Sequence, residues 1–176
     1  LSFIKAILLE ETAGLLPLVL DADALNALAS VPNWWRKLID NAILTPHPGE
    51  MSRLAGTSVE DIQAARAGIA KKMAEEWRKT IVLKGANTVI ASPDSKLMIS
   101  PFANPGLASA GTGDVLSGVI AGLVAQGLAL ENAASCGVYL HGEAGEMVKD
   151  KLGDAGMLAS DLLPVLPLVI KQLKEN

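Results

Sequence analysis

Apolar and polar residues alternate along the chain in two kinds of pattern. Three short, nearly continuous apolar runs are typical of the buried strands of a parallel sheet: LPLVL (16–20), AILT (42–45) and TIVLK (80–84). Two further runs, TVIAS (88–92) and KLMIS (96–100), are separated by the turn sequence PDS. Their spacing predicts a hairpin of two additional strands.

Helical spacing and capping residues predict helices between these strands. The clearest helix begins after Ser58, where apolar side chains recur at positions 62, 65, 69, 73 and 77. Others are expected at 24–29, 34–40, 48–56, from Asp114 to near Gly127, at 130–151, and at 161–173 with a break or kink at Pro164 and Pro167. Because strands and helices alternate through short loops, the sequence predicts an α/β fold with a mostly parallel sheet.

Composition and charge exclude several classes of function. Of the 176 residues, 50% are hydrophobic but only 3% are aromatic, so aliphatic side chains must fill most of the core. The net charge of −4 offers no basic surface to a polyanion, and nucleic acid is not an expected partner. The apolar run 115–130 is shorter than the roughly 20 residues of a membrane span. We therefore expect a buried helix there and no membrane partner.

The single cysteine and the first residues bear on the compartment. Cys136 excludes an intrachain disulfide, which suits a reducing compartment, and its apolar helical surroundings (AASCGVYL) predict a buried side chain. The opening LSFIKAILLEETAGLL lacks an initial Met and the residue succession of a signal peptide. We expect the chain to be the inner part of a longer, cytoplasmic protein.

The candidate chemistry lies directly after the predicted strands, because open α/β sheets bind ligands at the carboxyl ends of their strands. The positions are Asp21 in DADALN, His47 in TPHPGE, the turn Lys84–Thr88 and the glycine-rich loop that ends at Asp114. Within DADALN, Asp23 is interpreted as a helix cap. His141, inside the helical stretch YLHGEAGE, is interpreted as a structural residue.

The segment SAGTGDVLSG places a carboxylate in the first turn of a helix, directly after a glycine turn. First-turn N–H groups and the helix dipole favour an anion such as a phosphoryl group. Asp114 either caps the helix or takes a proton from a hydroxyl that attacks the phosphoryl group, and the local pattern alone favours the cap. The segment has no Gly-Lys-Ser/Thr, which excludes a Walker loop, and Leu116 replaces the third glycine of a dinucleotide fingerprint.

Two other segments each allow a structural and a functional interpretation. In the structural interpretation, His47 is a loop residue and Glu50 satisfies the helix dipole. In the functional interpretation, His47 contacts substrate and Glu50 holds water or hydrated magnesium near phosphate. Lys84 ends a strand at a glycine turn. It is a solvated hairpin lysine, as the pattern alone favours, or it neutralises a nucleotide phosphate beside a turn backbone that lines the adenosine.

These segments follow one another in an order that resembles a known family. VLDADALN, ILTPHPGEMSRL, VLKGANTVI, NPGLASAGTGDVLSGVIAGL, ASCGVYLHGEAGE and ASDL resemble the nucleotide-dependent NAD(P)H-hydrate dehydratase family, a branch of the ribokinase-like fold. The resemblance implies a three-layer α/β/α fold and a single partial domain over residues 1–176. The family's first strands and its GPGLG-like, substrate-contacting segment have no counterpart here, so the chain resembles the last two-thirds or so of the family's domain.

The resemblance also implies an activity, which is the repair of NADH or NADPH that has been hydrated at the nicotinamide ring. The ring hydroxyl is phosphorylated and phosphate is then eliminated. ADP is the donor in bacterial members, leaving AMP and phosphate, and ATP is the donor in eukaryotic ones. The implied ligands are NAD(P)H hydrate and ADP or AMP, the implied cofactor is Mg²⁺, and a homo-oligomer is expected.

Carried over residue by residue, the resemblance assigns each candidate a role. Asp114 is the base and a substrate contact, and His47 is a second substrate contact. The amides of Gly111, Thr112 and Gly113 hold the transferred phosphoryl group. The nucleotide is bound by Lys84, Gly85, Ala86, Asn87, Thr88 and Gly113. Glu50 stands where related kinases keep a glutamate that is associated with magnesium and phosphate.

Two other functions stay open at this point. A vitamin-precursor kinase of the same fold would share GTGD and stop at the phosphate ester, although TPHPGE favours the dehydratase. A non-catalytic nucleotide-binding fragment is the other, because the family's glycine-rich substrate segment is absent.

Overall fold

The computed structural model describes residues 2–9, 16–153 and 155–175, which divide into two compact units. Unit 1 consists of Leu1–Lys84 and Val89–Ile99, and unit 2 of Gly85–Thr88 and Ser100–Asn176. The assignment of residues 1–176 to a single domain stays a prediction.

The strands described in unit 1 form one sheet whose spatial order is the order of the sequence. They are β1 (Leu18–Leu20), β2 (Ala42–Leu44), β3 (Thr80–Leu83), β4 (Val89–Ala91) and β5 (Leu97–Ile99). The first three pair in parallel, with Val19 opposite Ile43 and Ile43 opposite Thr80. β4 and β5 continue the sheet as the predicted antiparallel hairpin. The short apolar runs therefore form strands as expected, and every residue of β2 and β3 is buried.

The helices described in unit 1 are α1 (Ser2–Leu9), α2 (Ala22–Ala29), α3 (Pro48–Ala55), α4 (Val59–Ala64) and α5 (Arg66–Trp77). The predicted helix from Ser58 to Trp77 is in fact two, because Ala65 leaves helical geometry at φ −135° and ψ 39°. The predicted helix 34–40 is wrong. Only a 3-10 turn forms at Trp34–Arg36, after Asn33 in the left-handed conformation (φ 54°). Helix α1 was not predicted.

The core of unit 1 contains two of the tryptophans, and a buried lysine lies beside them. Trp34 and Trp77 are almost fully buried, with ring centroids 4.8 Å apart in an edge-to-face arrangement. Lys79 is buried and donates to Asp40 Oδ1 at 2.9 Å, to the Trp77 carbonyl at 3.0 Å and to the Trp35 carbonyl at 3.5 Å. This ammonium group ties the 3-10 turn to the segment that leads into β3.

Unit 2 is built around two long helices, α6 (Thr112–Ala125) and α7 (Leu130–Leu152). A 3-10 turn at Pro105–Ala108 precedes them, and α8 (Ala159–Leu162) and α9 (Leu166–Glu175) follow. The predicted break in the last helix is confirmed at Pro164, which lies between α8 and α9, whereas Pro167 lies in the first turn of α9. No helix among residues 2–9, 16–153 and 155–175 is long and apolar enough for a membrane span.

The prediction that Cys136 is buried is wrong. Residues of α7 at helical spacing, including Ala133, Gly137, Leu140 and Ala144, are buried. Cys136 lies off that face and is exposed. An apolar local composition does not determine which face of a helix is buried.

Candidate functional site

Four polar side chains of unit 1 meet beyond the carboxyl ends of β1, β2 and β3. The Nζ atom of Lys84 lies 2.5 Å from Asp21 Oδ1 and 3.9 Å from Glu50 Oε2. The exposed fractions of the Lys84, Asp21 and Glu50 side chains are only 20%, 13% and 6%. The interpretation of Lys84 as a solvated lysine is therefore wrong, because its ammonium group is held between two carboxylates.

His47 and Glu50 cap the first turn of α3 for each other. His47 Nδ1 accepts the N–H groups of Gly49 (3.0 Å) and Glu50 (3.3 Å), and Glu50 Oε2 accepts the N–H of His47 (2.8 Å). Because Nδ1 is an acceptor, the proton of the neutral ring lies on Nε2, which is 3.5 Å from Glu50 Oε1. The side chain of His47 is still 51% exposed, so its ring remains accessible to a ligand.

The cap of α2 differs from the one that was predicted. Asp21, not Asp23, is the N-cap residue, and its Oδ1 accepts the N–H of Ala22 at 2.9 Å. Asp23 lies in the first turn. Sequence reasoning placed Asp21 at a strand end but missed its contact with Lys84. The available signal was that both residues directly follow parallel strands of one sheet, with only β2 between those strands.

The donor set at Glu50 suits a hydrated magnesium ion better than a directly bound one. Oε2 already accepts the His47 N–H and faces Lys84, so direct coordination would compete with the cap. A contact through water would leave that hydrogen bond in place. Within the described ranges, no group of three or more His, Cys, Asp and Glu side chains is arranged to hold a metal ion.

The turn Gly85–Thr88 has a fixed backbone and an exposed surface. Asn87 donates through its N–H to the Phe102 carbonyl at 2.8 Å and through Nδ2 to the Ser100 carbonyl at 3.0 Å. Thr88 Oγ1 donates to the Gly85 carbonyl at 3.0 Å. Gly85, Ala86 and Asn87 are exposed, and Gly85 adopts φ 145°, which favours glycine. A ligand can therefore approach a backbone that is already ordered.

The loop before α6 presents two free amides and a free carboxylate. Gly111 is the N-cap residue at φ 86°, and no side chain caps it. In the part of the chain that the structure describes, the N–H groups of Gly111 and Gly113 have no acceptor, whereas the Thr112 N–H donates to the Ser109 carbonyl at 3.3 Å. The expected anion hole of three amides is thus reduced to two free donors.

Asp114 lies in the first turn of α6 and is exposed. Its carboxylate makes no hydrogen bond or ion pair with any residue that the structure describes. The capping interpretation gains no support from this geometry, because the side chain closes no hydrogen bond to the backbone at the helix start. An unpartnered carboxylate beside two free amides combines a proton acceptor with donors for an anion.

Similarity to known proteins was found over most of the chain. The family model described as NAD(P)H-hydrate dehydratase matches residues 2–168. The bifunctional NAD(P)H-hydrate repair enzyme Nnr of Moorella thermoacetica is 51% identical over 160 residues, which are 91% of this chain and 30% of that protein. The ADP-dependent (S)-NAD(P)H-hydrate dehydratase of Neisseria meningitidis is 46% identical over 152 residues, 84% of this chain and 51% of that protein. The chain spans about half the length of these relatives or less.

Solved structures show the same relationship. The ADP/ATP-dependent NAD(P)H-hydrate dehydratase of Bacillus subtilis, co-crystallized with ATP/Mg²⁺, has a TM-score of 0.80 at 39% identity and covers 89% of this chain and 55% of that one. A ribokinase-like superfamily protein of Enterococcus faecalis has a TM-score of 0.80 at 27% identity over 97% of this chain and 57% of that one. The predicted α/β fold of ribokinase-like type is confirmed.

Proposed function

The chain belongs to the NAD(P)H-hydrate dehydratase family, and we propose that it catalyses the ADP-dependent dehydration of (S)-NAD(P)H hydrate to NAD(P)H, with AMP and phosphate as the other products. The observation that carries this proposal is the unpartnered carboxylate of Asp114 beside the free amides of Gly111 and Gly113. A dehydratase that uses a phosphoryl donor needs these two functions at one place.

The first step is the transfer of a phosphoryl group to the ring hydroxyl. Asp114 takes the hydroxyl proton as the oxygen attacks the β-phosphorus of ADP, and the bond from that phosphorus to the bridging oxygen breaks to release AMP. Charge spreads over the equatorial oxygens of the transferred group. The N–H groups of Gly111 and Gly113 stabilise that charge without having to reorganise.

The second step removes the phosphate. The lone pair of the ring nitrogen expels phosphate from the neighbouring carbon, and loss of a proton from the next ring carbon restores the double bond. Phosphorylation is needed because a hydroxyl is a poor leaving group and a phosphate is a good one. The sum is one NAD(P)H, one AMP, one phosphate and one proton from each hydrate and ADP.

The remaining residues bind and orient the reactants. We assign the turn of Gly85, Ala86, Asn87 and Thr88 to the nucleotide, since its exposed backbone is already fixed, together with Lys84 and Gly113. His47 presents an exposed imidazole to the substrate. Glu50 would contact hydrated Mg²⁺, whose charge, when the ion is bound, neutralises phosphate oxygens. We also assign the chain to the cytoplasm and to a homo-oligomer.

An absorbance assay tests the proposal. The 176-residue chain is mixed with hydrated NADH, Mg²⁺ and ADP, and the NADH absorption band is followed, with ATP and then no nucleotide in parallel reactions. We expect a rise that requires ADP and that produces one AMP for each NADH. A lasting phosphate ester without NADH would instead identify a kinase, and ADP binding without any turnover would identify a nucleotide-binding fragment.

A further inference from the structure

The loop that leads into α6 is held by the side chain of a histidine on α7. His141 is 8% exposed, and its Nε2 lies 2.9 Å from the carbonyl oxygen of Thr112. A carbonyl oxygen only accepts hydrogen bonds, so Nε2 carries the proton and donates it. The contact joins residues 29 positions apart in the sequence.

Thr112, the first residue of α6, makes several hydrogen bonds to the loop before the helix. Its Oγ1 lies 2.6 Å from the Leu107 carbonyl and 2.8 Å from the Ser109 carbonyl, and its N–H donates to Ser109 at 3.3 Å. The backbone before α6 therefore folds back so that its carbonyl groups contact Thr112. His141 then connects that residue to α7.

Two glycines of α7 let other residues of the loop approach this helix closely. A Cβ atom on Gly142 would lie 2.1 Å from Cδ2 of Phe102, and one on Gly145 would lie 2.8 Å from Cδ2 of Leu107. Both contacts are too short for any side chain. The loop is thus held against the helix at Phe102, Leu107 and Thr112, and the sequence YLHGEAGE supplies the histidine and both glycines.

We infer that His141 is a positioning residue that directs the N–H of Gly113 toward the phosphoryl group. The Thr112 carbonyl and the Gly113 N–H belong to one planar trans peptide and point in opposite directions. Holding the carbonyl oxygen from the α7 side therefore sets the direction of the N–H. Donation to the carbonyl also polarises the peptide and makes that N–H a stronger donor. The catalytic consequence rests on the function proposed above.

Three variants separate positioning from stability. His141→Gln keeps an N–H donor at a similar reach, and His141→Leu removes it. Val148→Ala removes packing from the core of unit 2 about two turns further along α7 and serves as the control for lost stability. For each variant, kcat and the KM for ADP are measured at a temperature where the chain remains folded.

We expect His141→Leu to lower kcat about 100-fold, because a misdirected group can cost that much, with a smaller change in KM. His141→Gln should recover most of the loss, and Val148→Ala should keep the wild-type kcat. An unchanged kcat in His141→Leu would overturn the inference. A loss in Val148→Ala as large as that in His141→Leu would also overturn it.

A second measurement does not depend on turnover. Inorganic phosphate is titrated into the ¹⁵N-labelled chain, and the amide resonance of Gly113 is followed in the wild type and in both His141 variants. We expect a shift in the wild type and in His141→Gln that is lost in His141→Leu. The inference would be overturned if phosphate does not shift the Gly113 resonance of the wild type, or if the shifts are equal in all three proteins. If the wild type lacks turnover, the proposed function fails and this titration alone decides the positioning role.

Discussion

At the scale of the residue, Asp114 and Lys84 have opposite surroundings. The carboxylate of Asp114 is exposed and has no partner among the described residues, whereas the ammonium group of Lys84 lies between Asp21 and Glu50. A free charge at a helix start is available for chemistry. A charge that is paired and mostly buried is needed first by its partners, because its removal would leave their carboxylates without a compensating charge.

Replacing Asp114 by Asn should remove turnover and leave nucleotide binding nearly unchanged. The amide cannot take the hydroxyl proton, and general-base catalysis contributes about 10²- to 10⁴-fold to a rate. The measurement is kcat in the NADH absorbance assay, with calorimetric titration of ADP as the control for binding. Turnover within about twofold of the wild type would instead mean that Asp114 has only a structural role at the helix start.

Replacing Lys84 by Met should destabilise unit 1 by about 3 kcal/mol, because two mostly buried carboxylates lose the cation between them. The free energy of unfolding is measured in urea by tryptophan fluorescence, which reports on unit 1 because Trp34, Trp35 and Trp77 all lie there. The double variant Asp21→Asn/Lys84→Met should recover part of the loss. A single variant as stable as the wild type would show that the pair contributes nothing to folding.

At the scale of the element, α7 combines ordinary core packing with support of the loop that leads into α6. Its buried residues pack with α8 and α9. Its glycines at 142 and 145 admit Phe102 and Leu107 to contacts closer than a Cβ atom permits without a shift of its neighbours. The glycines of α6 differ, because a Cβ atom at Gly118 or Gly122 would meet nothing within 4 Å.

This contrast predicts opposite effects of the same substitution in two helices. Gly142→Ala should lower the free energy of unfolding by about 1–3 kcal/mol, because the new methyl group overlaps the Phe102 ring. Gly118→Ala, the matched control, should raise it by about 0.4–1 kcal/mol by restricting the unfolded chain. Urea unfolding followed by far-ultraviolet circular dichroism compares them. Equal effects at the two positions would contradict the packing of Phe102 against α7.

The ion pairs of Asp40 with Lys79 and Arg78 predict a dependence of stability on pH. Burial raises the pKa of Asp40, but the hydrogen bond and charge of Lys79 and the charge of Arg78 outweigh it, so this pKa is lower than usual in the folded chain. The unfolded value is about 3.9. The stabilisation is therefore complete above that pH and is lost as the pH falls through the folded pKa.

Comparing the wild type with Asp40→Asn measures this effect. The wild type should be the more stable protein at pH 6, and the difference in the free energy of unfolding should shrink at pH 3. Both values come from urea unfolding followed by tryptophan fluorescence. A difference that is the same at the two pH values would show that the ion pairs of Asp40 with Lys79 and Arg78 do not lower its pKa.

At the scale of the whole molecule, the sheet ends in an apolar strand. β5 is the last strand in the order of the described sheet, and its residues Leu97, Met98 and Ile99 are 38%, 39% and 56% exposed. An edge strand offers unpaired backbone groups, and apolar side chains beside them favour association. This strand therefore supports the proposal of a homo-oligomer.

Replacing Ile99 by Lys should reduce self-association, because a charge on an edge strand opposes pairing with a second chain. The average mass in solution is measured by light scattering over a range of protein concentrations. Leu152→Lys, an equally large change at an exposed position outside the sheet, is the control and should behave as the wild type. If the two variants associate equally, the edge of the sheet is not the contact.

The sequence by itself determined the features that depend on local pattern. Nearly continuous apolar runs predicted β1, β2 and β3, and a turn sequence between two short runs predicted the hairpin, since both signals lie within a few consecutive residues. The positions of His47, Lys84 and Asp114 followed from the rule that ligands lie beyond strand ends. The local pattern did not decide whether each of these residues has a structural or a functional role.

Only the tertiary structure decided what depends on residues far apart in the chain. Lys84 meets Asp21 from 63 positions away, and His141 meets Thr112 from 29 positions away. The exposure of Cys136 depends on which face of α7 the neighbouring helices cover. Pairing of charges, direction of amides and burial of a helix face are set by packing between elements. No local pattern of polar and apolar residues contains that information.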